Sequence, residues 1–475
     1  MTLSLIAKEL DMELHGEDAM FSRVSTDTRS LAKGDLYLAL VGENFDGNQF
    51  ISQACELGAC AAIAQNTDTD SGLEQISKEQ ATNKVCRFPV LRVADTHKAL
   101  GKIANINRRR SSAKVIALTG SQGKTTVKEM LGAILSVRSN PLITQANLNN
   151  TIGVPLTLLR VDDNHDYVVI EMGANSAGEI AFSAEVTQPD IALITNASAA
   201  HIEGFGSLQG IVSAKGEIID GLSNDGVLVL NADDEHLHDW IQRAGSKNIV
   251  RFSFSNDSND KNNSDYYAAD VEVLNTGCVQ FKLLTPKGER IILSQLLGKH
   301  NVLNAVAAGA TAIEAGLDLD DVATGLAHVL PVKGRLCPYK GVNGSILIDD
   351  SYNASPASYR AATQVLMSIA GKKIMLAGEM KELGSESDAA HISVGEYAAD
   401  LGVDELWATG ETCRQMIDAF VARSRNGKGK YFDDKAQVID AAKELAKPGV
   451  VFLVKGSRGA RMDTVVKSLI LDGET

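Results

Sequence analysis

The stretch KVIALTGSQGKTTVKEML, Lys114–Leu131, decides the fold. It begins as an apolar run of buried-strand type, turns on two glycines and continues into a helix start. Phosphate-binding loops are built in that order. The standard pattern G-x-x-x-x-G-K-[ST] asks for a glycine five residues before Gly123. That position is Leu118, and the first glycine stands instead at Gly120. Successive backbone N–H groups over Gly120, Ser121, Gln122 and Gly123 can wrap phosphate oxygens, aided by the positive end of a helix entered through Lys124, Thr125 and Thr126. Lys124 is placed to pair with the β- and γ-phosphates, and the Thr125 hydroxyl to ligate Mg2+. The alternative is an ordinary strand-to-helix turn. Strand context, two glycines and a helix start agree on phosphate.

Outward from this loop, VIALTG, YVVIEMG, IALITNA and GVLVLNA read as parallel strands, because strands covered on both faces appear as continuous apolar runs. The polar tract Ser253–Asp265 reads as an exposed loop, and Asn301–Gly316 as a helix. From about Leu330 a second alternation begins, with SILIDDS, KIMLAGE, ELWATG and GVVFLVKGSRG as strands. It predicts a second α/β sheet with ligand loops at its strand ends. Before Asp95, short strands such as GDLYLAL mix with a helical reading of Phe50–Ala64, and no G-x-G-x-x-G fingerprint occurs.

At 475 residues the chain suits about three domains of ~150 residues each. The fold class is α/β, divided at 1–95, 96–328 and 329–475. A net charge of −14 argues against a general nucleic-acid or anionic-membrane surface. The basic run Arg108–Arg110 reads as a solvated linker. Six cysteines (Cys55, Cys60, Cys86, Cys278, Cys337 and Cys413) form no C-x-x-C pair and no zinc-like spacing, which fits scattered thiols in a reducing compartment. No signal peptide and no uninterrupted apolar span are present, so a cytoplasmic location is expected.

Several polar residues fall at strand ends. Glu171 closes a buried strand, where a carboxylate needs a metal or a salt bridge, and both readings stand. His201 lies in a Gly-rich loop, and a lone loop histidine is usually just solvated. Lys215 sits in an apparent helix, where a surface position is the default. Asn301 and Asn304, three apart on one helix face, suit an adenine edge or a polar surface. Arg335 stands at the junction before the last section, within reach of a phosphate. Asp349 and Asp350 end a strand and suit a ribose, a metal or an N-cap cluster ahead of Ser355-Pro356.

The ordered motifs TGSQGKTT, NLNNTIGVP, EMGAN, AHIEGFGS, SAKGEI, GKHNVLNA, GR and DDSYNASP resemble the ATP-dependent Mur ligase family over nearly the whole chain. That family writes its loop T-G-x-x-G-K-T-T, with the first glycine displaced as here. Three features favour the branch that adds D-alanyl-D-alanine to a UDP-N-acetylmuramoyl-tripeptide. STDTRSLAKGDLYLALVGENFDGNQF, Ser25–Phe50, resembles the uridine-binding domain of ligases acting on longer peptides. The D-N-P-R motif of the diaminopimelate-adding branch is absent. DDSYNASP, AGEMKELG and VKGSRGARM resemble the dipeptide-adding branch.

The resemblance implies a uridine-binding N-terminal domain of mixed α/β type, a central P-loop ATPase domain with a parallel sheet, and a Rossmann-like C-terminal domain. It implies ATP, two Mg2+ ions, and an acyl phosphate that the dipeptide amine attacks. Catalysis would fall to Lys124, Glu171, His201, Lys215 and Arg335. Thr125 and Glu171 would hold one magnesium and His201 would help hold a second. Asn301 and Asn304 would lie at adenine, Asp350 at the ribose and Arg335 at phosphate. Ser25, Arg29 and the turn Asn44, Phe45, Asp46 and Gly47 would face uridine diphosphate, with Asn150 and Thr151 on the muramoyl-peptide side. Lys215 matches a lysine that some members carbamylate. Lys455, Asn353 and Ser457 are candidates for the dipeptide pocket. A monomer without nucleic-acid or membrane partners is expected. The rivals are another amide ligase of the superfamily, diaminopimelate- or lysine-adding or folylpolyglutamate-like, and a P-loop module that binds nucleotide without ligase chemistry.

Overall fold

The computed structural model describes residues 1–14, 17–66, 88–198, 202–255, 264–274 and 277–471. The chain divides into two compact units. The first holds residues 1–113, 144–165 and 185–188, and the second the remainder.

In the first unit, β1 (Val24–Ser25), β2 (Leu36–Leu38), β5 (Ala61–Gln65) and β6 (Val90–Val93) form a parallel sheet in the order β1-β2-β5-β6. Alternate residues face opposite layers. Leu36, Leu38 and Ile63 pack with Leu3, Ile6, Leu100 and Ile103 of the helices Leu3–Glu9 and Thr96–Arg110. Tyr37, Ala62 and Ala64 pack with Ile51 and Ala54 of the helix Ile51–Glu56. The helical reading of Phe50–Ala64 therefore holds only for its first part. Ala61–Gln65 has the alanine content of a helix, yet tertiary pairing with β2 overrides propensity there. A two-stranded ribbon, β3 (Val41–Gly42) with β4 (Phe45–Asp46), stands apart from the sheet.

In the second unit, a nine-stranded sheet runs β15-β14-β13-β12-β11-β10-β7-β9-β8. Its strands are β7 (Lys114–Thr119), β8 (Pro141–Ile143), β9 (Tyr167–Glu171), β10 (Ile191–Ile194), β11 (Val227–Asn231), β12 (Asn248–Ser253), β13 (Tyr266–Val273), β14 (Cys278–Thr285) and β15 (Gly288–Leu297). Pairing is parallel from β13 to β8, and β14 and β15 are antiparallel. The four apolar runs around the loop are thus β7, β9, β10 and β11, as expected. The helices Lys124–Leu135 and His300–Ala315 bury Val127, Leu131, Val302 and Ile313 in one core with Leu118 and Leu193. Of the tract Ser253–Asp265, residues 256–263 lie outside the described residues.

A six-stranded sheet follows, ordered β16-β17-β21-β18-β19-β20. It comprises β16 (Cys337–Lys340), β17 (Ile346–Asp350), β18 (Lys372–Ala377), β19 (Glu405–Thr409), β20 (Lys428–Phe432) and β21 (Val450–Lys455). Only β16 is antiparallel. Because β21 inserts between β17 and β18, the carboxyl ends of these three strands frame the crevice where α/β sheets bind ligands. Ser355 caps the helix Pro356–Ser368 with a capping box, as the Ser-Pro signal predicts.

Among the described residues no helix is long and apolar enough to cross a membrane. Cys60, Cys278, Cys337 and Cys413 are free thiols, whereas Cys55 is disulfide-bonded, so the all-thiol expectation fails at that residue.

Candidate active site

The phosphate loop is braced by hydrogen bonds to the residues that follow β10. β7 continues through Leu118 to Thr119, and Leu118 is fully buried in register with Glu171 of β9. The turn begins only at Gly120, which accounts for the displaced glycine. A Cβ on Gly120 would fall 1.9 Å from Thr195 Oγ1, beyond the end of β10. Asn196 accepts from Ser121 N–H through its carbonyl and from Gln122 N–H through Oδ1, both at 3.0 Å. Asn196 Nδ2 and Thr195 Oγ1 donate to the Gln122 carbonyl at 3.1 and 2.7 Å. Two N–H groups expected to wrap phosphate thus stiffen the turn instead. The first-turn amides of the helix, from Lys124 onward, have no intrahelical partners and are left as donors. Gly123 adopts φ +79° as the residue entering the helix, and a Cβ there would lie 2.4 Å from Asn304 Oδ1. The strand-end pair Thr195–Asn196 was missed from sequence, although ITNA closes a buried run with polar residues.

At the base of the loop, Thr125 Oγ1 donates to Glu171 Oε1 at 3.1 Å, and both residues are buried. These oxygens are the donor type that suits Mg2+, which takes one or two carboxylates and completes its shell with phosphate and water. Among the described residues no group of three or more His, Cys, Asp and Glu converges as a metal cage. Such an open pair is what a phosphate-bridged ion requires. Lys124 Nζ donates to the Gly120 carbonyl. Burial pushes its ammonium down from the ordinary lysine value, with Glu171 opposing and Arg335 adding to the shift.

Lys215 is not a surface residue. On the helix Leu208–Gly216 it is only 4% exposed, and its Nζ lies 5.5 Å from the centroid of the Phe205 ring. Burial pushes its pKa down to about 7; Lys124 adds to the shift, and Glu179 and Glu217 oppose it. His201 lies outside the described residues.

Beside the loop opens a cleft of about 230 Å3 whose walls include Gly123, Asn301, Asn304, Arg335, Asp350 and Tyr352. Asn301 is buried, and its Nδ2 donates to the Leu297 carbonyl at 2.8 Å. Its Oδ1 accepts from Asn304 Nδ2 at 2.9 Å. Asn301 therefore orients Asn304, whose oxygen faces Gly123. The Arg335 guanidinium carbon stands 4.5 Å from the Tyr352 ring centroid. Asp350 accepts from Lys455 Nζ at 2.6 Å and from Leu336 N–H at 3.2 Å. Its neighbour Asp349 accepts from Gly334 N–H at 2.9 Å. The two acids so clamp the linker that carries Arg335, and Leu336 is held there at φ +50°. Lys455 also donates to the Asn353 carbonyl at 2.9 Å, so this candidate for a dipeptide pocket is a buried ion-pair partner.

In the first unit, Ser25 Oγ donates to the Asp27 carbonyl at 2.9 Å. Arg29 grips the Asp27 carboxylate, which its hydrogen bonds hold at a pKa of about 2. Asn44 follows β3, and Phe45 and Asp46 form β4 in the ribbon. Phe45 is half exposed and stacks on Phe50 at 5.7 Å. Asp46 caps the turn Gly47–Phe50 through Asn48 N–H. The Gly47 carbonyl accepts from Tyr37 Oη at 3.1 Å. Asn150 Oδ1, just before Thr151, accepts from Gly153 N–H at 2.8 Å and so caps the helix Gly153–Leu158.

Comparison with known proteins bears on this geometry. Residues 118–312 match the Mur ligase middle domain, 334–458 the Mur ligase glutamate ligase domain, and 21–108 the Mur ligase family catalytic domain. The chain is 42% identical to the UDP-N-acetylmuramoyl-tripeptide–D-alanyl-D-alanine ligase of Escherichia coli, covering 100% of this chain and 99% of that one. The enzyme of the same name from Bacillus subtilis is 34% identical, with coverages of 96% and 94%. The crystal structure of MurF from Acinetobacter baumannii superposes with a TM-score of 0.84 at 34% identity, over 97% of each chain. MurF from Thermotoga maritima in complex with ADP superposes at 0.80 and 26% identity, over 94% of this chain and 96% of that one.

Proposed function

The chain belongs to the Mur ligase family, and we propose that its site performs the dipeptide-adding step of peptidoglycan precursor synthesis. It is an ATP-dependent ligase that joins D-alanyl-D-alanine to UDP-N-acetylmuramoyl-tripeptide. The observation that carries the residue-level reading is the Thr125–Glu171 pair at the base of a stiffened phosphate loop.

In this reading the tripeptide carboxylate attacks the γ-phosphorus of ATP. ADP leaves and an acyl phosphate forms. The free amine of the dipeptide then adds to the acyl carbon, and the tetrahedral intermediate expels phosphate as the amide forms. Lys124 and the first-turn amides hold the β- and γ-phosphates, and Arg335 faces the charge that gathers on the transferring group. Thr125 and Glu171 would hold Mg2+, which when bound would neutralise phosphate charge, and His201 would serve a second ion. Asn304, oriented by Asn301, meets the adenine. Asp350 reaches the ribose from its clamp with Lys455. Ser25, Arg29 and the Asn44–Gly47 turn with its exposed Phe45 receive uridine diphosphate, while Asn150 and Thr151 lie on the muramoyl-peptide side.

Lys215, with a pKa near 7, is neutral in a large fraction at physiological pH. A neutral amine can add to CO2 and release a proton, giving a carbamate that would bring negative charge to the metal side. The domains are assigned as 1–95 for the uridine substrate, 96–328 for ATP and 329–475 for the dipeptide. The enzyme acts as a monomer in the cytoplasm, where ATP and nucleotide-linked precursors are available.

The test is phosphate release from ATP in the presence of the tripeptide substrate, D-alanyl-D-alanine, both or neither. Release that needs both supports the assignment. Equal release with neither would sink it.

A further inference from the structure

We propose that Tyr352 is a positioning residue for Arg335, presenting its guanidinium to the transferring phosphoryl group through the face of the phenol ring. The inference rests on the reading of Arg335 given above.

Five observations carry it. The Arg335 guanidinium carbon stands 4.5 Å from the Tyr352 ring centroid, within cation–π range. Tyr352 N–H donates to the Gly334 carbonyl at 3.1 Å, so the Tyr352 backbone is tied to the residue that precedes the arginine. A Cβ added to Gly334 would lie 3.0 Å from Tyr352 Cβ, and the two backbones therefore approach as closely as glycine permits. Arg458 Nη1 donates to Tyr352 Oη at 3.3 Å, and its guanidinium carbon lies 5.4 Å from the same ring centroid. The segment after β21 so also reaches the ring.

Among the described residues no carboxylate lies within ion-pair distance of Arg335; the Asp350 carboxyl senses its charge but is itself paired with Lys455. That choice of partner has a chemical consequence. A carboxylate would neutralise the guanidinium and occupy its N–H donors. A ring face orients the cation and leaves both its charge and its N–H groups for phosphate oxygens. Arg335 and Tyr352 line the same cleft as Gln122 and Gly123 of the phosphate loop, and Arg335 contributes to the lowered pKa of Lys124. The ring therefore holds the cation in the cleft that the phosphate loop also lines.

The experiment measures kcat and KM for ATP in the full-length enzyme carrying Tyr352→Leu, Tyr352→Phe, Arg335→Ala, and Tyr352→Leu with Arg335→Ala. Tyr352→Leu is expected to lower kcat about ten-fold with little change in KM, and Tyr352→Phe to restore it. Tyr352→Leu should cost nothing further once Arg335 is alanine. A normal kcat in Tyr352→Leu, a loss of equal size in Tyr352→Phe, or a loss confined to KM would overturn the proposal. If Arg335→Ala itself keeps full kcat, the reading of Arg335 falls, and the proposal with it. If Tyr352→Leu does not fold, fluorinated phenylalanines at position 352 replace it: kcat should fall stepwise as the ring face loses electron density. A flat series would also overturn the inference.

Discussion

Leu118 of β7 lies in register with Glu171 of β9, so the residue that displaces the usual first glycine also pairs with the strand end that brings the Glu171 carboxylate to Thr125. The pair of buried oxygens then leads to a first prediction. Glu171→Gln keeps the shape and the hydrogen bond from Thr125 but removes the charge that would hold Mg2+. Its kcat should fall about 100-fold. A magnesium titration should show the requirement shifted to higher concentration, and an unchanged titration would remove Glu171 from the metal site.

Gly123 can be tested on stability and binding together. Its φ of +79° disfavours any Cβ by about 1–2 kcal/mol, and the added atom would meet Asn304 Oδ1 at 2.4 Å. Gly123→Ala should lower the melting temperature and weaken ADP binding measured by calorimetry. Adding Asn304→Ala should relieve the contact but leave the backbone strain, so stability should return only in part.

Some of this was open to reading from the sequence, and the rest was hidden for identifiable reasons. The runs at β7, β9, β10 and β11 are apolar throughout because helices cover both faces, and they were found. β20, KGKYF, is an edge strand with lysines on it, and carries no such run. β5 looked helical because alanine serves a helix as well as it fills a tight sheet layer. Lys124 and Thr125 at a helix start and Glu171 at a strand end are where the apolar runs place them. The burial of Lys215 could not be read, since SAKGEI looks the same on a surface helix. Nor could the Asp350–Lys455 pair, whose members stand far apart in the chain and meet only because β21 lies beside β17.

That pair makes a third prediction. Lys455 is 1% exposed, and its partner would be left as a buried charge without it. Lys455→Met should cost about 3–5 kcal/mol in chemical denaturation. Asp350→Asn in the same chain should recover much of that loss. Independent, additive losses would show that the two side chains do not act as one unit.

The last prediction concerns pH and Lys215. In the unfolded chain its amine titrates at about 10.5, and in the fold at about 7. Between those values the unfolded state holds a proton that the folded state lacks, so protonation favours unfolding. Stability should therefore rise with pH across this window, by about 1.4 kcal/mol per unit for one such group, and level off below pH 7, where both states are protonated. Lys215→Met removes the group and should flatten the slope between pH 7 and pH 10. Urea denaturation at stepped pH, in buffer freed of CO2 so that the amine stays unmodified, measures the difference. Restoring bicarbonate should then extend the slope below pH 7, because a native carbamate holds no amine proton while the lysine freed on unfolding takes one up as bicarbonate leaves. A native slope that bicarbonate leaves untouched would argue that Lys215 is an isolated buried amine, and would remove the carbamate from the metal side of the mechanism.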